Sequence, residues 1–235
     1  MLLEDFELID LTHVMHPGIP TWTGSCGYCL DVKMDYDETF KVQQMKMHAG
    51  IGTHMDAPSH RFEGAASIES IALENLICKA ACIDVSHKAT ADYTISLQDI
   101  LDYEKDHGPI IKNNLVIGYT GWDKYWNTPD LYRNVDGNGK MHFPSFSEEA
   151  ALYLLEKDIA GLAIDTLSPD SPLSTFPVHK AILGAGKYII ENIANAAQMP
   201  PKGGYVIVLP INAQGATEAP IRIIGLKPLP QRAKE

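Results

Sequence analysis

The chain is poor in cysteine and in basic residues, and it has no long apolar run; each shortage excludes a class of protein. Four cysteines in 235 residues are too few for a disulfide-held scaffold. Cys26 and Cys29 form a C-x2-C pair, and Cys78 and Cys82 a C-x3-C pair, so a four-thiolate zinc site is conceivable. Residues 76–85, however, read as a buried strand, in which cysteine packs as a small hydrophobe, and core cysteines are the better reading. Nineteen basic against thirty acidic side chains leave a net charge of −11, which disfavours binding to nucleic-acid phosphates. No apolar run approaches the ~20 residues that span a bilayer. The start is acidic and has no apolar signal segment, so a cytoplasmic protein without membrane or nucleic-acid partners is expected. Repeats and low-complexity tracts are also missing, and the expectation is one domain over residues 1–235.

Short β-branched, apolar runs at 6–12, 26–34, 42–48, 80–85, 115–120, 162–165, 205–210 and 220–226 are each bounded by Gly, Pro, Asp or Asn, the pattern of strands. Ser96-Leu-Gln-Asp99 offers a capping box for a helix up to Gly108, and Ser147 with its following glutamates opens a second up to Gly161. A third helix is expected at 193–199, stopped by Pro200 and Pro201. Strands and helices mix without strict alternation, which gives a mixed α/β domain rather than a doubly wound sheet. The turn-rich residues 126–145 read as a surface hairpin or a loop reaching a partner subunit. Trp122, Tyr125 and Trp126 read as a hydrophobic wedge in the core or at a subunit contact.

Nine histidines stand out against this background, three of them in His48-Ala-Gly-Ile-Gly-Thr-His-Met-Asp-Ala-Pro-Ser-His60. In extended backbone alternate residues share a face, so His54 and Asp56 point together, with position 50 or His48 beside them if the strand continues. Imidazole and carboxylate are the usual ligands of zinc, manganese and related divalent ions. His60, past Pro58 and out of the strand, suits proton transfer near neutral pH. A single histidine is more often a hydrogen-bonded structural residue, but four ionisable groups around a Gly-Thr turn are costly to bury unless paired. His13 and His16 read as surface residues near a pocket mouth, and His87, His107 and His142 as solvated.

Gly52-Thr-His-Met-Asp-Ala-Pro-Ser-His60 resembles the G-T-H-x-D-x-P-x-H signature of the cyclase family of metal-dependent hydrolases, which includes bacterial kynurenine formamidase and isatin hydrolase. Further segments resemble the family in order: residues 10–22, Thr120-Gly-Trp122, 143–147, 161–166, 179–183, 189–195 and 215–222. The resemblance implies a compact domain of the swivelling β/β/α type with a mixed sheet, assembled as a homodimer or higher homo-oligomer. It implies that His54, Asp56, His179 and Glu191 hold one or two zinc or manganese ions, that His60 is the general acid–base, and that Trp22 packs on the substrate ring. The implied activity is hydrolysis of an amide or related C–N bond in a small aromatic substrate. Conversion of N-formylkynurenine to kynurenine and formate, a step of tryptophan catabolism, leads. A lactam hydrolase of the isatin type, a cyclase or dehydratase, and a noncatalytic metal or ligand binder are the alternatives. The signature ordinarily begins with histidine at the position held here by Gly50. Either a backbone bulge brings His48 to the metal instead, with Gln44 on the same face, or the first site is weakened.

Overall fold

One long strand meets three partners, and that closes the sheet. The structure, a computed structural model, describes residues 3–25, 27–36 and 40–230. Strand β1 spans Phe6–Asp10, β2 Cys29–Met34, β3 Val42–Lys46 and β4 His54–Asp56. Helix α1 (Leu73–Leu76) leads into β5 (Ile77–Asp84); β6 (Thr94–Ile95) precedes α2 (Leu97–His107) and β7 (Asn114–Tyr119). Then come α3 (Pro129–Arg133), β8 (Ser145–Phe146), α4 (Glu148–Glu156), β9 (Gly161–Ile164), α5 (Pro177–Gly184), β10 (Tyr188–Glu191), β11 (Tyr205–Pro210) and β12 (Glu218–Pro228). The first residues of β12 pair with β4, its middle with β11 and its end with β1. Since β4 also pairs with β10, the order β12-β11-β5-β7-β9-β10-β4 returns to β12 as a barrel-like sheet, with β1 added outside it. Within this sheet β5, β7, β9 and β10 run parallel and the remaining pairings are antiparallel, so the expected single α/β domain with a mixed sheet is what the chain forms.

The central strands are apolar over most of their length because both of their faces are covered. Cys78, Ala80, Cys82, Leu115 and Ile117 face one core, lined by residues from strands all round the sheet. The alternating Ala81, Ile83, Val116 and Leu162 face a second core under α2, α4 and α5. Cys78 and Cys82 are thus the packed residues their context predicts, with thiols raised above the ordinary value by burial. Cys26 lies outside the described residues. The Ser96–Asp99 capping box forms in both directions, and Ser147 caps α4 through the Ala150 N–H at 3.0 Å.

Three expectations are corrected. The helix at 193–199 is only a 3-10 turn, Ala196–Gln198. Ile193 is committed to a bridge with Thr12 and Asn195 turns left-handed, which leaves too few residues for an α-helix before the prolines. Residues 126–145 are only in part the expected surface hairpin: Val135 bridges Met141 around an exposed turn, but the flanking residues pack inward. Tyr132, Met141 and Phe143 are buried with Trp122 and Trp126 in a third core, and the Trp122 indole donates to the Tyr132 carbonyl at 2.8 Å. His13 is not a surface residue either: its ring stacks on Trp126 with centroids 4.0 Å apart, and burial pulls its pKa down to about 4. Among the described residues no helix is long and apolar enough to cross a membrane.

Asp165, fully buried at the end of β9, ties the neighbouring loops together. Its carboxylate accepts from the Thr120 N–H (3.0 Å), the Thr120 hydroxyl (2.7 Å) and the Trp122 N–H (2.8 Å). Burial nevertheless pushes its pKa up to about 6. A carboxyl raised in the folded state contributes stability that is complete below about pH 4 and lost as pH rises through about 6. A shift of two units corresponds to roughly 3 kcal/mol. Asp165→Asn cannot titrate, and it sets an amide N–H against a backbone donor at a cost of about 1–3 kcal/mol. Urea unfolding should therefore show a larger deficit for this variant at pH 5 than at pH 7, whereas a deficit independent of pH contradicts the buried titration.

Candidate metal centre and substrate cavity

β4 lies between β10 and β12, and the antiparallel register sets Glu191 opposite His54 and Glu218 opposite Asp56. His54 and Asp56 share a face, as alternation along a strand requires. The preceding Gly52 takes φ +64°, a conformation that suits glycine, and its carbonyl accepts from His54 Nδ1 at 2.9 Å and Asn192 Nδ2 at 3.0 Å. With Nδ1 engaged, His54 Nε2 is left as a free ligand atom. It stands 3.4 Å from Asp56 Oδ1 and 3.4 Å from Glu191 Oε2.

A second imidazole mirrors the first. His179, in the first turn of α5, has Nε2 3.4 Å from Asp56 Oδ2 and 3.4 Å from Glu191 Oε1. Its Nδ1 donates to Asp170 Oδ2 at 2.7 Å, and the other oxygen of Asp170 accepts the Val178 N–H at 2.8 Å. Asp170 therefore caps the start of α5 and orients His179 at once. Two buried carboxylates and two buried imidazoles alternate around a common space.

Charge follows from this packing. Burial disfavours the cationic form of His179, but Asp170, Asp56 and Glu191 outweigh it and raise its pKa to about 12. His54 is also raised, burial being overcome by Asp56 and Glu191. Burial would raise Asp56, yet His179, His54 and His60 bring it below the ordinary value, whereas burial and the Asp56 charge keep Glu191 raised.

The four groups fit a divalent ion. Distances of 3.4 Å are long for charge-assisted hydrogen bonds, which centre near 2.7–2.9 Å, but each is the ~3.4 Å separation expected between two atoms that ligate one ion with arms of about 2.1 Å. Asp56 Oδ1 is buried and has no hydrogen-bond partner, which is costly for a carboxylate without a cation. Asp56 also falls within ligand distance of both His60 with His179 and His54 with Glu218.

His60 stands at the rim in the 3-10 turn Pro58–His60, its ring 6.1 Å from that of His179. Nδ1 lies 3.2 Å from Glu218 Oε2, and this hydrogen bond, more than any other influence, raises its pKa. The cavity above the cluster measures about 280 Å³. One wall is aromatic: Trp22 packs against Phe176 at 6.0 Å and Phe143 at 6.2 Å, and Phe176 meets the His179 ring edge-on. Phe176 has φ +58°, an uncommon conformation for a large side chain, held just before Pro177 opens α5.

Of the residues expected from sequence, His54, Asp56, His60, His179, Glu191 and Trp22 all line this cavity. His48 does not. β3 ends at Lys46, the chain turns through residues 49–53, and the exposed His48 ring packs on Gly27, where even a Cβ would come within 1.7 Å of it. Gln44 is likewise exposed on β3, opposite Asp31. Asp170, Phe176, Asn192 and Glu218 were not singled out. Asp170 and Phe176 sit in the loop before α5, where an Asp nine residues ahead of a histidine carries no periodic signal.

The family described as "Putative cyclase" matches residues 9–171. An isatin hydrolase from Roseibium aggregatum is 26% identical over 97% of this chain and 94% of its own length. A kynurenine formamidase from Bacillus thuringiensis subsp. konkukian is 25% identical over 95% and 98%. The structure of isatin hydrolase A from Labrenzia aggregata, bound to benzyl benzoate, superposes with a TM-score of 0.90 at 27% identity, covering 96% of this chain and 95% of that one. With a family match over more than half its length and a fold shared almost end to end, this chain belongs to the cyclase family.

Proposed function

We propose that the protein is a metal-dependent hydrolase of a C–N bond in a small aromatic substrate. The observation that carries this reading is the ring of four buried side chains, joined by imidazole–carboxylate contacts of 3.4 Å and including an Asp56 oxygen with no hydrogen-bond partner, at the floor of a cavity with an aromatic wall. His54, Asp56, His179 and Glu191 would hold zinc or manganese. Such an ion supplies Lewis acidity, polarising a carbonyl and making water acidic near neutral pH. His60, with Nδ1 held by Glu218, has its other nitrogen free to take the proton of water and return it to the departing nitrogen. Trp22 and Phe176 clasp the ring and set the scissile bond over the cluster.

The leading substrate is an N-formylated arylamine of the N-formylkynurenine type, in line with the formamidase relative. A lactam of the isatin type is the second reading, favoured by the closeness of the fold to isatin hydrolase A. In assays with zinc and with manganese, the formylated substrate should split into an arylamine lighter by CO and formate, and the lactam should open to a single product heavier by one water in mass spectrometry; a cyclase or dehydratase would not add water. His60→Ala should keep its metal and lose about 10²–10⁴-fold in turnover, whereas Asp56→Ala and Glu191→Ala should lose metal as well. Full activity of metal-stripped protein would refute the mechanism.

Asp170→Asn tests the orientation of His179. The amide cannot accept from both Val178 and His179 as the carboxylate does, so metal affinity by calorimetry should fall about 10–100-fold. Unchanged affinity would leave Asp170 as a helix cap alone.

A homodimer or higher homo-oligomer is part of the same proposal. The β2–β3 hairpin presents Leu30, Val32, Val42 and Met45 to solvent, an apolar surface suited to a second copy. Light scattering should report at least a dimer, and Val32→Glu with Met45→Glu should shift it towards monomer; a wild-type monomer contradicts this part.

A further inference from the structure

The site has a glycine where its neighbours would accommodate a ligand, and the structure shows what occupies that space. Gly50 is not among the glycines with positive φ, so its backbone does not demand glycine. A Cβ added there would come within 1.9 Å of Glu218 Oε1 and 3.4 Å of His54 Nε2. The carboxylate of Glu218 therefore occupies the volume into which a side chain at position 50 would project, beside the free nitrogen of His54.

Three further observations concern the same carboxylate. Glu218 begins β12 directly opposite Asp56, and two like charges paired across strands are destabilising unless something of opposite sign lies between them. Ligand atoms of His54, Asp56 and Glu218 all lie within 4.8 Å of one another. Asp56 Oδ1, the oxygen turned towards His54, is buried and has no hydrogen-bond partner, so the cluster holds an unmet demand for a cation. The remaining oxygen of Glu218 is already used, 3.2 Å from His60 Nδ1.

We propose that Glu218 supplies, in trans across the β4–β12 pair, the ligand that position 50 lacks, so that His54, Asp56 and Glu218 hold one divalent ion while Asp56, His179 and Glu191 hold another. The proposal rests on the metal reading above and adds a ligand to it. Gly50 and Glu218 are then a matched pair: the glycine is required because the carboxylate needs its space. One Glu218 oxygen serves the ion and the other positions His60, which couples the general acid–base to that ion. A purely positioning Glu218 would affect His60 alone and leave metal content untouched.

Metal content of the full chain after loading with zinc or manganese and removal of excess decides this, read by mass spectrometry of the metal and by calorimetric titration. Wild type should bind two ions per chain. Glu218→Gln, which preserves shape, and Gly50→Ala, which leaves Glu218 intact but displaces it, should each lose one ion or weaken one binding step at least tenfold. The paired change Gly50→His with Glu218→Ala should restore the second ion, with far-ultraviolet circular dichroism checking that all variants are folded. Two ions at wild-type affinity in both single variants would overturn the role of Glu218 and leave the metal reading standing. A wild-type chain that takes up neither metal would overturn both.

Discussion

Asp56 is the residue around which the rest is arranged. Burying two carboxylates beside each other costs several kcal/mol per charge unless partners compensate. Asp56 and Glu191 are both buried, on adjacent paired strands, with two imidazoles between them. That arrangement is tolerable only if the surrounding backbone does not yield. β4 is just three residues long, yet it is paired on both sides, by β10 and by β12. Closing the barrel is thus what holds the candidate ligands: the shortest strand of the sheet is also the one that completes the ring.

Hydrogen bonds behind the site fix it from outside. Asn192, left-handed just after β10, donates to the Gly52 carbonyl, while its own carbonyl accepts from the Thr53 hydroxyl at 2.6 Å. The Tyr132 hydroxyl lies within hydrogen-bonding distance of Asn192 Oδ1 and of the Asp165 carbonyl, and the Asp165 carboxylate holds Thr120 and Trp122. The loops after β7, β9 and β10 and the turn before β4 are therefore joined through four side chains. This explains why segments far apart in the chain resemble the family: Thr120-Gly-Trp122, the Asp165 segment and the Glu191-Asn192 pair are parts of one support. Asp170 does the same for His179 from the far side.

The cavity joins two kinds of environment. Its floor is charged and desolvated; its wall is Trp22, Phe176 and their neighbours. The substrate proposed for it, a flat apolar ring with a carbonyl, would meet the wall with one part and the floor with the other, and His60 at the rim is exposed enough to exchange protons with solvent.

Much of this was legible in sequence because it is local. Strand β11 and the cores of β5, β7 and β9 follow from short apolar runs between turn residues, α2 and α4 from their caps, and the pairing of His54 with Asp56 from the period of a strand. Resemblance added His179, Glu191 and Trp22. The helix expected before Pro200 failed because Ile193 had a tertiary partner that local propensity does not reveal. His48 failed for a similar reason: nearness in sequence to the motif suggested a ligand, but the chain turns before β4 and leaves the ring on Gly27. By itself the sequence determined the mixed α/β class, the acidic balance, and a concentration of imidazole and carboxylate around residues 48–60. Only the tertiary structure decided that Glu218, 168 residues beyond Gly50, occupies the space of a missing side chain, and that Asp170 and Asn192 support the ligands. Strand periodicity and capping act over a few residues, whereas the register between β4 and β12 is set by closure of the whole sheet.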